Sequence, residues 1–305
     1  MLRRLLLPAL GLALTVACGD DGNGGPSNGT SDAGREVFLD LAARADVVLE
    51  NFQPSFTDRY GIDYEAVREV NEDVVYCSIS AFGETGPYRT EPGIDTTVQA
   101  LTGAMSMTSD GETGPLRSGV PMNDVFAAQY AVQGILTALF DRATGGGGEF
   151  VDVSLLDAGV AGLTTRGMYS LVTDEAYPPF GRRHNYFAPE GRYEAADGHV
   201  QLSVVTDRHW QRFCEALEAP ALAVDDRYET VADRVANRER LDRELAGLLA
   251  DREVADLVAT LREAGIPIAP IEDTVSVWDH PQVRAREMRR ELEHPDAGTV
   301  DTIGF

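Results

Sequence analysis

The sequence predicts an α/β protein in which a parallel sheet of strand–helix–strand units precedes a smaller α+β domain. Short runs of β-branched and apolar residues alternate with stretches of helical periodicity, an order typical of parallel sheets. The chain has 305 residues, which is enough to bury a sizeable core. After about residue 173 the order changes to a hairpin followed by amphipathic helices, which indicates a second domain.

The first domain is predicted over 34–186, where strands and helices alternate. Apolar residues recur on one helical face over 34–45. The strands are predicted at 46–49, 74–80 and 150–155. The remaining helices are predicted at 56–60, 64–70, 95–107 and 124–142, with a further one beginning near Asp157. The helix over 124–142 carries large apolar side chains that we expect in the core: Phe126, Tyr130, Val132, Ile135, Leu136, Leu139 and Phe140.

The second domain is predicted over 187–285, after a linker that contains Pro178 and Pro179. The turn at Asp197-Gly198 predicts a β-hairpin. Amphipathic helices are expected at 207–217, 237–249 and 253–264. A strand over 266–271 contains two prolines, which confine it to the edge of a sheet.

The first 18 residues have the pattern of a bacterial lipoprotein signal. A basic start is followed by an apolar run too short to span a bilayer, and LTVAC resembles a lipobox in which Cys18 would be lipidated. Residues 19–33 are rich in Gly, Asp and Ser, a composition typical of a disordered tether. The pattern predicts an exported lipoprotein. The alternative is a misassigned start that joins a leader to an unrelated domain.

Composition excludes several classes of function. The net charge is −24 and every basic residue is arginine, so the surface does not suit nucleic acid, whose phosphates need a basic patch. Such acidity fits salt adaptation, while the arginine usage fits codon bias equally well. The three cysteines are far apart and the five histidines show no ligand spacing, so we expect neither a disulfide framework nor a metal site.

The stretch over 145–162, GGGGEFVDVSLLDAGVAG, joins a glycine turn, a strand and a helix of small residues. Asp157 stands at the strand-to-helix junction. Such junctions, at the carboxyl ends of strands, are where α/β folds place their chemistry. The alternative is that Asp157 only caps the helix.

Several stretches together resemble the class III CoA-transferase family, which includes formyl-CoA and carnitine CoA-transferases and 2-methylacyl-CoA racemases. The similar segments are ADVVLENFQPSFTDRYGIDYEAV, VVYCSISAFGETGPY, PGIDTTVQALTGAMSMT, GGEFVDVSLLDAGVAGL, ADGHVQLSVVTDRHWQRFCEAL, ANRERLD and AGIPIAPIED. They occur in family order and cover nearly everything from Gly34 to Phe305. The resemblance implies a Rossmann-like large domain, a small α+β domain and an interlocked homodimer.

The resemblance also implies site residues. Asp157 takes the position of the catalytic aspartate. Asn51, Phe52 and Arg59 lie where the family holds coenzyme A, and Ser80 and Phe82 lie in a loop that also meets it. Arg59 could pair with a CoA phosphate or be an ordinary exposed arginine. Phe52 could stack on adenine or pack in the core, and Asn51 could be a turn residue.

The implied reaction moves CoA from an acyl-CoA to a carboxylic acid through an aspartyl anhydride and an aspartyl-CoA thioester. CoA is a substrate, no metal is needed, and the chemistry places the protein in the cytoplasm. The racemase branch pairs a His with an Asp, but the loop over 120–124 has no His, which favours transfer. There Asp124 is either a second acid near the site or a helix cap.

Two departures from the family pattern are expected to leave the fold incomplete. The opening strand, glycine turn and helix are replaced by the lipoprotein-like leader. The segment over 286–305 should return toward the large domain, and the family's last strand and helix do not follow it. The alternative functions are therefore a 2-methylacyl-CoA racemase and a non-catalytic remnant tethered to a membrane through Cys18.

Overall fold

The structure is a computed structural model that describes residues 28–109, 114–179, 181 and 183–304. The signal segment over 1–18, with Cys18, and most of the tether lie outside the described residues. The chain divides into two compact units, and the division falls after Pro179. This division precedes the boundary at 186/187 that the sequence predicted, and the first helix begins at Asn28, inside the segment predicted to be a tether.

The first unit contains three parallel strands and eight helices within the described residues. The strands are β1 (Val47–Glu50), β2 (Val75–Ser80) and β3 (Glu149–Ser154). The helices are α1 (Asn28–Ala42), α2 (Pro54–Tyr60), α3 (Tyr64–Val70), α4 (Asp95–Leu101), α5 (Ala104–Met107), α6 (Met122–Ala143), α7 (Leu155–Ala161) and α8 (Thr165–Thr173). The predicted helix over 95–107 is split in two because Gly103, at φ +83°, leaves the right-handed helical region.

The sheet has the order β1-β2-β3, and both pairings are parallel. Each strand-to-strand connection contains helices, as the alternating sequence predicted. One core cluster packs Cys77 and Val153 against Val98 of α4 and Ala127 of α6. A second cluster on the unit contains Val48, Val67 and Tyr76. The predicted α/β class is confirmed.

Helix α6 buries its small residues and partly buries Phe126 and Ile135, which pack against the core. The core prediction was wrong for four of its large side chains, which are exposed: Tyr130, Val132, Leu136 and Phe140. Ala127, Ala131 and Ala138 are buried. A Cβ on Gly134 would lie 2.6 Å from Cγ1 of Val151, so this face lies close against β3. Among the side chains predicted in the core, Leu136 is 61% exposed and Phe140 is 71% exposed. The face of α6 that packs on the sheet is therefore the one whose small residues allow close approach, and not the one with the most large apolar residues.

The second unit has an antiparallel sheet of the order β4-β5-β6 and a helical layer. Its strands are β4 (Glu190–Ala195), β5 (Gly198–Ser203) and β6 (Ile268–Pro270). Its helices are α9 (Asp207–Ala216), α10 (Pro220–Ala223), α11 (Val231–Ala236), α12 (Arg238–Leu249), α13 (Val254–Glu263) and α14 (Pro281–Ala285), with short 3₁₀ turns at Asp226–Tyr228 and Ser276–Asp279. The predicted hairpin and edge strand are confirmed.

The core of the second unit is formed by aromatic side chains and leucines. They are Trp210, Phe213, Tyr228, Leu241, Leu245, Leu249, Leu257 and Leu261, and all are fully buried. The segment after α14 forms an exposed hairpin of β7 (Arg289–His294) and β8 (Gly298–Ile303), grouped with this unit. In the described part of the chain, no helix is both long and apolar enough to cross a membrane.

Candidate active site at the carboxyl edge of the parallel sheet

The three parallel strands bring most of the predicted site residues to one edge of the first unit. Because β1, β2 and β3 run in the same direction, their carboxyl ends lie side by side, with Glu50 opposite Ser78 and Ser80 opposite Ser154. Asn51 directly follows β1, Ser80 ends β2, and Asp157 lies in the first turn after β3. This edge is where open α/β sheets bind ligands.

Asp157 is exposed in the first turn of α7. The cap of that helix is Ser154, whose Oγ accepts the backbone N–H of Asp157 at 2.9 Å. The interpretation of Asp157 as the helix cap is therefore wrong. Among the described residues, no donor is bonded to its carboxylate, which is exposed to solvent.

The loop after β2 is fixed to the start of α7. The backbone N–H of Leu156 donates to the carbonyl of Ala81 at 3.1 Å. Ser80 is buried, and its Oγ accepts the N–H of Gly83 at 2.9 Å, so it shapes the turn. Phe82 is partly buried against Tyr88, with ring centroids 5.5 Å apart. The loop predicted to meet CoA thus lies beside the helix that carries Asp157.

The residues after β1 are held by hydrogen bonds to the sheet. The side-chain amide of Asn51 donates to the carbonyl of Ile79 at 2.5 Å, and the N–H of Phe52 donates to the Glu50 carboxyl at 2.7 Å. The Phe52 ring stacks on Phe56 with centroids 4.6 Å apart. Phe56 is 39% exposed, so the stack reaches the surface, where a flat ring system could extend it.

The two arginines near this edge differ in their partners. Arg89 donates to both oxygens of Asp58, at 2.8 and 3.0 Å, and to Glu84 at 3.2 Å. The hydrogen bond with Asp58 is the main reason that the pKa of Arg89 is raised. Arg59 is exposed, with its guanidinium carbon 5.6 Å from the ring centroid of Tyr60. Arg89 therefore joins α2 to the loop after β2, whereas Arg59 faces solvent.

Sequence reasoning missed a buried polar cluster behind α7. One carboxylate oxygen of Asp95 accepts the N–H of Asn123 at 3.0 Å, and the other accepts the amide of Gln99 at 2.6 Å. A Cβ on Gly159 would lie 2.4 Å from Oδ1 of Asn123, so α7 is seated directly on this cluster. Polar residues at helical spacing among apolar ones were the available signal.

Asp124 lies next to that cluster, in the first turn of α6. The N-cap of α6 is Pro121, so the interpretation of Asp124 as the cap is wrong. Burial is the main cause that raises the pKa of Asp124, and the charge of Asp95 adds to it. No group of His, Cys, Asp or Glu side chains within the described residues is arranged to hold a metal ion.

Known proteins resemble this chain over most of its length. A family model described as CoA-transferase family III matches residues 28–305. The succinyl-CoA:mesaconate CoA-transferase of Haloarcula hispanica is 37% identical over 278 residues, which are 90% of this chain and 69% of that protein. The succinate–glutarate CoA-transferase of Agrobacterium fabrum is 35% identical over 260 residues, covering 85% of this chain and 65% of that protein.

The fold agrees with these sequence matches. The crystal structure of a CAIB/BAIF family protein from Brucella suis superposes with a TM-score of 0.80 at 33% identity, covering 88% of this chain and 74% of that one. Fold, sequence and family model thus point to the same group of transferases, whose substrates are CoA thioesters and carboxylates. The chain belongs to CoA-transferase family III.

Proposed function

We propose that this chain transfers CoA from an acyl-CoA donor to a carboxylic acid acceptor, with Asp157 as the nucleophile. The observation that carries the proposal is the exposed carboxylate of Asp157 at the carboxyl edge of the sheet, on a helix whose first turn is capped by Ser154. The capping leaves the carboxylate oxygens for chemistry. A carboxylate in this position can form covalent acyl intermediates.

The reaction then proceeds in four exchanges at carbonyl carbons. The Asp157 carboxylate attacks the thioester carbonyl, the C–S bond breaks, and a mixed anhydride and the CoA thiolate form. The thiolate attacks the aspartyl carbonyl, releasing the donor acid and leaving an aspartyl-CoA thioester. The acceptor carboxylate attacks that thioester and expels the thiolate again. The thiolate finally attacks the acceptor's acyl carbon, which gives the new acyl-CoA and restores Asp157.

CoA would lie along the edge formed by the first two strands. The partly exposed stack of Phe52 and Phe56 suits the adenine ring. The exposed guanidinium of Arg59 suits a phosphate, since it is free to form a fork of hydrogen bonds. Asn51, Ser80 and Phe82 would shape the wall between that site and Asp157, because their backbone segments are fixed to one another and to α7.

The substrates we propose are short dicarboxylic acids and their CoA thioesters. The support is the names of the relatives, which include succinyl-CoA:mesaconate, succinate–glutarate and succinyl-CoA:glutarate CoA-transferases. Succinyl-CoA is therefore the first donor to test.

The test is to incubate the protein with succinyl-CoA and hydroxylamine and to examine the peptide that contains Asp157 by mass spectrometry. A hydroxamate on Asp157 is expected, and Asp157→Asn should lose both the adduct and CoA exchange. Asp40→Asn, an exposed change on α1, is the matched control and should keep both. An Asp157→Asn protein with undiminished exchange would exclude the proposal. Exchange of the α-hydrogen for deuterium without CoA transfer would instead indicate the racemase.

We also propose a homodimer, for which the exposed apolar face of α6 is the support. Val132, Leu136 and Phe140 follow one another at four-residue spacing and are 52%, 61% and 71% exposed. An apolar stripe of this kind is typical of a protein–protein interface. Light scattering should give a dimer for the parent and a monomer for Leu136→Asp. A monomeric parent would contradict the proposal.

The location we propose is the cytoplasm, where acyl-CoA is available. The alternative, anchoring through a lipidated Cys18, is decided by labelling cells with a fatty acid. Label on the protein that disappears with globomycin, or with Cys18→Ser, would establish the anchor and contradict a cytoplasmic location.

A further inference from the structure

Glu50 is a buried acid that the proposed reaction does not use. It is the last residue of β1, directly before Asn51, and it is 7% exposed. Its Oε2 accepts the backbone N–H of Phe52 at 2.7 Å, whereas its Oε1 is buried and has no hydrogen-bond partner among the described residues. Burying an ionised carboxylate whose oxygen has no hydrogen-bond donor costs free energy. A protonated carboxyl group avoids this cost if its O–H can donate to a nearby acceptor.

An acceptor for that proton lies on the neighbouring strand. Ser78 is the residue opposite Glu50 in the parallel pairing, and its hydroxyl donates to Oε1 of Glu84 at 2.9 Å. Because the Ser78 proton is committed to Glu84, the lone pairs of Ser78 Oγ remain to accept. Glu84 is in turn bonded to Arg89, which binds Asp58 on α2. These hydrogen bonds thus run from Ser78 on β2 to α2, the helix that bears Arg59.

We propose that Glu50 stays a neutral carboxylic acid in the folded protein, donates its proton to Ser78, and thereby positions the Asn51–Phe52 segment for CoA. Glu50 is then a positioning residue, not a catalytic one. The proposal rests on the function proposed above, because it assigns a role to the segment that would hold CoA. Loss of the proton would place a second negative charge beside Glu84 and remove the hydrogen bond from Glu50 to Ser78, which loosens the contact between β1 and β2 at the Asn51–Phe52 segment.

The ionisable groups around Glu50 favour the neutral form. Burial is the main cause that raises the pKa of Glu50, and the charge of Glu84 adds to it, while Ser78 and the Phe52 N–H oppose it. Burial is also the main cause that raises the pKa values of Tyr76 and Cys77 on β2, so neither neighbour carries a charge near neutral pH, and Asp152 of β3 is a further acid near Cys77. The one cation in this chain of contacts, Arg89, is bonded to Asp58 and Glu84.

The sign of the pH dependence follows from this raised pKa. The folded, CoA-binding form holds the proton more tightly than a loosened form does. Affinity for CoA should therefore be full below the ordinary carboxyl pKa and fall as pH rises through the raised value, by at most about tenfold per pH unit. Glu50→Gln keeps an oxygen for the Phe52 N–H and cannot ionise, so its affinity should not fall for this reason.

The test is calorimetric titration of the full chain with CoA from mildly acidic to alkaline pH. We expect the parent to lose affinity as pH rises, Glu50→Gln to show a flatter profile, and the exposed control Glu91→Gln to follow the parent. CoA's own titrating groups contribute equally to all three proteins. Identical profiles for the parent and Glu50→Gln would overturn the inference.

A second measurement needs neither CoA nor the variant's affinity. In infrared spectra recorded as pH rises from acidic values, the parent should keep the carbonyl band of a protonated carboxylic acid above the pH at which ordinary carboxyl groups lose it, and Glu50→Gln should lack this persistent band. A parent without that band overturns the inference even if Glu50→Gln fails to fold. If the parent shows the band but binds no CoA at any pH, the proposed function fails while the neutral state of Glu50 stands.

Discussion

Replacing Gly159 with alanine should displace Asp157. Gly159 lies in α7, two residues after Asp157, and a Cβ there would be 2.4 Å from Oδ1 of Asn123 and 2.5 Å from Cγ2 of Thr102. Neither neighbour can yield easily. Asn123 is buried and its amide donates to the Asp95 carbonyl, while the Thr102 hydroxyl donates to the Gln99 carbonyl at 3.0 Å. The helix must therefore move by about 1 Å to restore ordinary contact distances.

The expected cost combines two opposing effects. Overpacking a well-packed contact costs about 1–3 kcal/mol, and alanine regains about 1 kcal/mol of helix propensity over glycine. We therefore expect a net loss of about 1 kcal/mol in the free energy of unfolding. If Asp157 is the nucleophile, as proposed, a displacement of about 1 Å should lower kcat by about 100-fold. The larger effect should thus be on catalysis.

The assay pairs urea unfolding with the rate of CoA exchange from succinyl-CoA. Gly247→Ala is the matched control, because Gly247 lies in α12 and a Cβ there would meet nothing within 4 Å. It should stabilise the protein by up to about 1 kcal/mol and leave kcat unchanged. If Gly159→Ala behaves like Gly247→Ala in both measurements, the contact of α7 with Asn123 and Thr102 does not position Asp157.

Three further predictions concern stability. Arg234→Met should destabilise the second unit by about 3 kcal/mol or more, because Arg234 is fully buried and its guanidinium donates to the carbonyls of Ala188 and Tyr228. In the same urea experiment, Arg240→Met, at an exposed position, should lower the free energy of unfolding by only about 0.5 kcal/mol. Sodium chloride should raise the thermal midpoint, because a net charge of −24 repels itself and salt screens it; a midpoint that falls with salt would contradict this reasoning. Burial raises the pKa values of Cys77 and Cys214 to about 12. In a Cys18→Ser protein, iodoacetamide should therefore alkylate neither thiol at mildly alkaline pH until urea unfolds the chain. Rapid labelling of the native protein would refute this prediction.

Local patterns in the sequence were enough to predict the strands. Runs of Val, Ile and Tyr mark β1, β2 and β3, and the observed strands differ from the predicted ones by about one residue at their ends. The hairpin of β4 and β5 follows from its Asp-Gly turn. No single motif was decisive, but the number and order of the seven similar segments were sufficient to indicate CoA-transferase family III.

The burial of α6 could not be predicted from its composition. Large apolar residues and small residues occupy different faces of this helix, and either face could have met the sheet. The close approach at Gly134 and Val151 requires the small face, which leaves Leu136 and Phe140 exposed. Periodicity reports that a face is apolar, but the shape of the partner surface decides which face is buried.

Some features of the candidate site could likewise be predicted from the sequence, and others could not. The sequence by itself determined that Asp157 follows a strand and that Asn51 and Ser80 stand at the ends of two others, because these are relations between neighbours in the chain. Only the tertiary structure decided that Ser154 caps the helix, that Arg89 is paired while Arg59 is exposed, and that Glu50 is buried with one oxygen unpartnered. With the exception of the Ser154 cap, these facts depend on groups that are distant in the chain, and hydrogen bonding and desolvation act between whatever groups folding brings together.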